Sequence, residues 1–228
     1  MCQLPAPSSQ SLRCLFQRST DDGRRLEGNL GKVGWWQYNR YHVFALCFLL
    51  FGLQQLASAG YIHIKAQLAQ VLIGRAWEAS LAEGGAPTKP WPWADTWPVA
   101  RLLAPRYSED LYILSGSRGN ALAFGPGYDD ASAPLGTPGS SVIGGHRDTH
   151  FAFLKEMKVG DQFRVALPTG ENIAYRVTDA DIVNIEFTPL RDSSDGGNEL
   201  LLITCYPFDA LMPGGPLRYV VRARPSKA

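Results

Sequence analysis

From Tyr41 to Ile64 the chain holds no Asp, Glu, Lys or Arg, and the heart of that stretch, Val43–Ala59, reads VFALCFLLFGLQQLASA. A helix that crosses a bilayer needs roughly 20 predominantly apolar residues, and this run supplies them, with Gln54 and Gln55 as polar exceptions. Bases outnumber acids ahead of it (Arg13, Arg18, Arg24, Arg25, Lys32, Arg40). That asymmetry predicts a cytoplasmic N-terminus and an exported C-terminal part. Ala57-Ser58-Ala59 also fits a signal-peptidase site, although residues 1–40 are long for the basic region of a leader. An uncleaved signal anchor is the expectation, and cleavage after Ala59 stays open; either route exports the C-terminal part.

Beyond the apolar run the period changes twice. Residues 61–83 are rich in Ala, Leu, Gln and Glu, with Ile64, Leu68, Leu72 and Trp77 near helical spacing. Gly84-Gly85-Ala86-Pro87 ends that helix. Lys89-Pro90-Trp91-Pro92-Trp93 through Trp97-Pro98 is an extended aromatic segment. From there, short β-like runs alternate with turns: Val99–Leu103, Leu111–Leu114, Ser140–Gly144, Gln162–Leu167, Ile173–Val183, Leu200–Cys205 and Leu217–Ala223. Turn signals stand between them, at Gly125-Pro126-Gly127, Gly160-Asp161, Pro168-Thr169-Gly170 and Pro213-Gly214-Gly215-Pro216. Many short strands and few helices predict a mainly β fold, a closed or nearly closed barrel. One short helix is expected near Thr149–Met157.

This gives a disordered cytoplasmic tail at 1–40, a transmembrane anchor at 41–60, a juxtamembrane helix and linker at 61–86, and a β-barrel domain at 87–228. Composition adds mainly exclusions. With 228 residues, 45% hydrophobic and 19% charged, the chain is long enough for one ordinary domain plus an appendage. A formal net charge of +1 gives no electrostatic case for a nucleic-acid partner. No repeat or low-complexity segment is visible.

The four cysteines are Cys2, Cys14, Cys47 and Cys205. Only Cys205 lies in the β domain, and without any Cys-x-x-Cys pair neither a disulfide framework nor a zinc knuckle is implied. Cys205 ends the apolar strand Leu200-Leu201-Leu202-Ile203-Thr204, and Pro207 stands two residues on. A free cysteine on such a strand is usually a small core residue. An unpaired thiol exported to an oxidising space is a liability unless it is used, which favours a nucleophile. His146 comes after a strand and two glycines, Gly144-Gly145, which permit tight backbone geometry and open space beside an imidazole. Arg218 stands on the strand returning after the Pro-Gly-Gly-Pro turn. Its guanidinium can hold a carbonyl or an oxyanion, although Arg222 and Arg224 also allow a solvated basic face. His146 and His150 suggest a pair of metal ligands, but no third ligand stands at a supporting spacing. Neither a metal nor a cofactor is expected.

Taken together, these residues resemble the sortases. Leu202-Ile203-Thr204-Cys205 is similar to the signature Thr/Leu-x-Thr-Cys, with Gly145-His146 upstream of it and Arg218 downstream. The chain resembles in particular the class GN sortases of Gram-negative bacteria, through its single anchor, Lys89–Pro98 and Gly145-His146-Arg147-Asp148-Thr149-His150-Phe151. The resemblance runs from about Phe44 to Ala223; Leu202 at the first signature position is its one departure. It implies an eight-stranded sortase-type barrel and a single-pass protein of the inner membrane with its catalytic domain in the periplasm. It also implies transpeptidation at a C-terminal sorting signal similar to Leu-Pro-x-Thr-Gly, through a thioacyl enzyme released by an amine acceptor. Cys205 would be the nucleophile, His146 the general acid and base, and Arg218 the stabiliser. Class GN further implies one dedicated protein substrate, often a large one with a von Willebrand-type domain. Asp148 is placed either to orient His146 or to cap the next helix.

Two other functions fit parts of the pattern. A peptidoglycan cross-linking cysteine transpeptidase would carry its histidine close to a Ser/His-x-x-Gly-x-Cys motif, which is not seen here. A membrane-anchored, non-catalytic barrel that binds protein or glycan would use Trp91, Trp93 and Trp97 as a platform, where packing of the connector is the competing reading. Leu167-Pro168-Thr169-Gly170, superficially a sorting signal, is accounted for by a hairpin turn.

Overall fold

The computed structural model describes residues 9–117, 119–187, 197–210 and 214–226, and it divides into two compact units, Met1–His63 and Ile64–Ala228. Helix α1 spans Ser9–Ala82. It begins inside the stretch for which an irregular tail is expected, and no proline stands between Pro7 and Pro87 to interrupt it. Arg40–Ala82 is long and apolar enough to cross a membrane, with a mean hydropathy of 1.7 over its most apolar window, none of it buried in protein.

In the second unit, of the four apolar residues at helical spacing on α1, Trp77 is buried and Leu72 half-buried. Ile64 and Leu68 are exposed, while Ala69, Ile73, Ala76, Trp77 and Ser80 are buried. The Trp77 ring meets that of Tyr112 with centroids 6.2 Å apart. Ile73 joins Leu114 and Ala121 in a small apolar cluster, against which Trp91 and Phe124 pack. Gly84 and Gly85 then take φ values of 67° and 97°, and the Gly85 N–H reaches back to Ser80 O. This left-handed exit is why glycine ends the helix there.

The β region is a closed barrel. Its strands are β1 (Pro98–Ala104), β2 (Glu109–Ser115), β3 (Gly127–Tyr128), β4 (Gly139–Gly144), β5 (Gln162–Ala166), β6 (Asn172–Asn184), β7 (Asn198–Cys205) and β8 (Leu217–Pro225). Their order around the barrel is β1-β2-β3-β4-β7-β8-β6-β5. All seven expected strands are present. The eighth, β3, is two residues long, too short for any period to show in the sequence. Helix α2 (Asn120–Phe124) has no counterpart among the expected elements. The short helix expected near Thr149–Met157 is a 3-10 turn at Ala152–Glu156.

The core fills the barrel with Leu102, Ile113, Ile143, Phe163, Val165, Tyr175, Leu200, Leu202 and Val221, and Phe151, Phe153 and Leu154 of the 3-10 segment join it. Leu201, Ile203, Val142, Val183 and Val220 form a second buried cluster. β7 is thus buried on both sides, and that is why its sequence runs Leu-Leu-Leu-Ile without alternation.

One buried charge ties the turns at one end of the barrel. Asp161, 6% exposed, accepts hydrogen bonds from the Arg106 guanidinium, the Tyr107 hydroxyl and the Lys158 N–H. Burial pushes its carboxyl up, but Tyr107, Lys158 and Arg106 outweigh that and hold it below its ordinary value. Because the folded value is depressed, the stabilisation is complete above the unfolded value near pH 4. It is lost as pH falls through the folded value. Asp161→Asn should cost about 2–3 kcal/mol at neutral pH, lowering Tm by roughly 5–10 °C. The variant should also show a shallower loss of Tm than the parent below about pH 4, measured by calorimetry across pH.

Candidate active site

Strand parity assembles the site. β7 lies between β4, to which it is parallel, and β8, to which it is antiparallel. Leu200 and Leu202 face the barrel core, and Leu201 and Ile203 face the second cluster. Side chains alternate along a strand, so Thr204 continues the inner face and Cys205 the outer one. Thr204 is accordingly buried, and Cys205 is half-buried at the strand end.

Arg218 stands directly opposite Cys205 in the β7–β8 register. Opposed residues of an antiparallel pair share a face, with Cβ atoms roughly 4.5–5.5 Å apart. Arg218 Nη1 donates to Gly215 O at 2.7 Å and to Leu217 O at 2.9 Å. These carbonyls fix the guanidinium beside the strand end and leave Nε and Nη2 without a hydrogen-bond partner among the described residues. The other two bases of β8 are engaged differently. Arg222 pairs with Asp179 at 2.7 Å and Arg224 lies 3.8 Å from Glu199. The strand is therefore not a uniform solvated basic face: Arg218 is held by backbone carbonyls, whereas Arg222 and Arg224 lie beside carboxylates.

His146 reaches the same place from the other side. The β4–β7 pairing ends at Gly144 opposite Ile203. One step further, the Gly145 N–H still donates to Ile203 O at 3.0 Å, and Thr204 Oγ1 donates to Gly145 O at 2.8 Å. A further step along both chains brings His146 level with Cys205. The Phe151 N–H then closes the turn onto His146 O at 2.9 Å. Cys205, Arg218 and His146 thus meet at one end of β7, β8 and β4.

Two details differ from expectation, the space at Gly145 and the cap at Asp148. Gly145 does not leave open space: a Cβ there would lie 2.8 Å from the Phe151 ring, whereas Gly144 has nothing within 4 Å. Asp148 caps nothing, since the 3-10 segment has no side-chain cap. Its carboxylate instead raises His150, against burial and the neighbouring His146, which together hold that imidazole below its ordinary value. His150 lies with its ring 6.5 Å from that of His146, and its Nδ1 is buried without a hydrogen-bond partner. Among the described residues, no three His, Cys, Asp or Glu side chains are placed to hold a metal ion.

Other residues at the site were not singled out from the sequence. Phe208 packs edge-on to Tyr219 with centroids 5.3 Å apart, and Tyr206 stacks on Tyr219 at 6.5 Å. These rings come just after Cys205 and Arg218 in the chain, and a Tyr-Pro-Phe triplet after the cysteine was the available signal. Of the three tryptophans, Trp91 packs against Phe124 with ring centroids 5.3 Å apart, Trp97 is half-buried, and Trp93 is 82% exposed. Leu167–Gly170 is the β5–β6 hairpin turn, closed by the Gly170 N–H on Leu167 O.

Chemically, the register brings the strand end that carries a thiol between a turn with an exposed imidazole and a strand with a guanidinium held by carbonyls. An imidazole can take the thiol proton, and a nearby positive charge favours the thiolate, the reactive form.

Comparison with known proteins agrees with this fold. Residues 102–226 match the sortase domain family, a span that holds all three candidates. The chain is 35% identical over 120 residues to Sortase D of Bacillus subtilis (strain 168); the match covers 53% of this chain and 60% of that relative's length. Sortase A from Corynebacterium diphtheriae superposes with a TM-score of 0.53 at 23% identity, over 70% of this chain and 85% of that one. For sortase C-1 from Actinomyces oris the TM-score is 0.51 at 25% identity, over 68% of this chain and 98% of that one.

Proposed function

The chain belongs to the sortase family of cysteine transpeptidases, and from that premise we propose that Cys205, His146 and Arg218 are its nucleophile, general acid–base and oxyanion stabiliser. The observation that carries this reading is the register: Arg218 opposite Cys205, with the His146 turn latched to the same strand through Thr204. In the first half-reaction His146 accepts the Cys205 proton, and the sulfur attacks the threonyl carbonyl of a Leu-Pro-x-Thr-Gly-like signal. Arg218 donates to the oxygen as it gains charge. The Thr–Gly bond then breaks, His146 returns the proton to the departing glycyl amine, and a thioester to Cys205 remains. An incoming amine attacks the thioester, gives up its proton to His146 and regenerates the thiol.

The substrate of this reading is a dedicated surface protein with a C-terminal sorting signal. The apolar helix serves as a single-pass inner-membrane anchor, with the barrel in the periplasm. The anchor, Lys89–Pro98 and Gly145–Phe151 support class GN. The identity to Sortase D favours a second class assignment. Full-length protein in detergent, given a library of such pentapeptides and an amine, should yield the acyl–amine product by liquid chromatography and mass spectrometry. Peptides retained on the protein but never cleaved would support the non-catalytic binding barrel instead.

A further inference from the structure

Beyond the ends of β4 and β7, three hydrogen bonds join the histidine turn to the cysteine strand among the described residues. Two stand just before Cys205: Gly145 N–H to Ile203 O, and Thr204 Oγ1 to Gly145 O. The third lies on its far side, where Arg147 Nη2 donates to Ala210 O at 2.7 Å in a part-buried contact. Arg147 adjoins His146 in the chain, and Ala210 lies five residues beyond Cys205. The cysteine is therefore bracketed.

Between Tyr206 and Ala210 the chain has two other backbone hydrogen bonds among the described residues. The Tyr206 N–H donates to Leu217 O at 3.1 Å, and the Ala210 N–H reaches Pro207 O at a long 3.4 Å. The first belongs to the strand end and the second is internal to the turn. We infer that Arg147 is a positioning residue: by holding Ala210, it fixes the segment after Cys205 to the turn that carries His146, and so sets the sulfur–imidazole geometry. Losing that donor matters because a misplacement of about 1 Å costs reaction rate on the order of 100-fold. The role is mechanical, and a lysine ammonium can reproduce much of it by donating to the same carbonyl. Its catalytic consequence rests on the roles proposed for Cys205 and His146, whereas the tether itself does not.

The test uses full-length protein in detergent, comparing the parent, Arg147→Ala and Arg147→Lys. Amide hydrogen exchange over Phe208–Ala210 should quicken in Arg147→Ala and slow again in Arg147→Lys. On a cleaved sorting peptide, kcat for Arg147→Ala should fall about 10- to 100-fold while KM moves less than about threefold. Tm should stay within about 3 °C, and Arg147→Lys should recover most of kcat. Unchanged exchange in Arg147→Ala overturns the tether, whether or not a peptide substrate is cleaved. Faster exchange with unchanged kcat overturns the positioning role, as does an activity loss that tracks Tm and is not rescued by lysine.

Discussion

Cys205→Ala should abolish formation of the acyl–amine product, with kcat/KM falling by about 10⁴-fold or more, while leaving the barrel folded. The two halves of that expectation have separate physical grounds. Of the three groups brought to the strand end, the thiolate is the strongest nucleophile, and Arg218 opposite Cys205 carries none. Stability should move by less than about 1 kcal/mol, because Cys205 is half-buried and the neighbouring apolar packing is carried by Leu202, Ile203 and Val220. Thr204, which holds the histidine turn, is untouched. Steady-state kinetics with a melting curve on the same sample checks both. A variant that keeps parental activity shows that the thiol is idle.

His146→Ala should lower kcat by about 10²- to 10⁴-fold, the range for loss of a positioned proton-transfer group. The ring is exposed, so melting should be nearly unchanged. His150 does not stand in for it. Its ring centroid lies 6.5 Å away and its Nδ1 is buried. The residual activity of the variant should therefore rise with pH, as hydroxide replaces the lost base. A residual rate that keeps the parental pH profile would assign the proton transfer elsewhere.

Much of this site was legible in the sequence because it is built at strand ends. The apolar run before Cys205 located β7, and the glycine pair located the end of β4. The turn Pro213–Pro216 marked the return of β8. What joins them was not legible. Cys205 opposite Arg218 is a register, and register comes from barrel closure rather than from either strand's pattern. Thr204 was visible only as a signature residue; its latch to Gly145 exists because parity turns it inward while Cys205 turns out. Gly145 was misread for a related reason: the side chain that fills its missing Cβ space, Phe151, comes from six residues further along. The buried face of α1 was legible only at Trp77, because the alanines and the serine that share it, Ala69, Ala76 and Ser80, give no hydrophobic period.

The proposed chemistry turns on a covalent bond to one sulfur. Full-length protein in detergent, incubated with a cleavable sorting peptide and no amine, should gain the mass of the threonyl fragment as its acyl group. After digestion that mass should map to the peptide holding Cys205, and hydroxylamine should release it. Peptide cleavage with no adduct on Cys205, or with the acyl group on another residue, would contradict the mechanism.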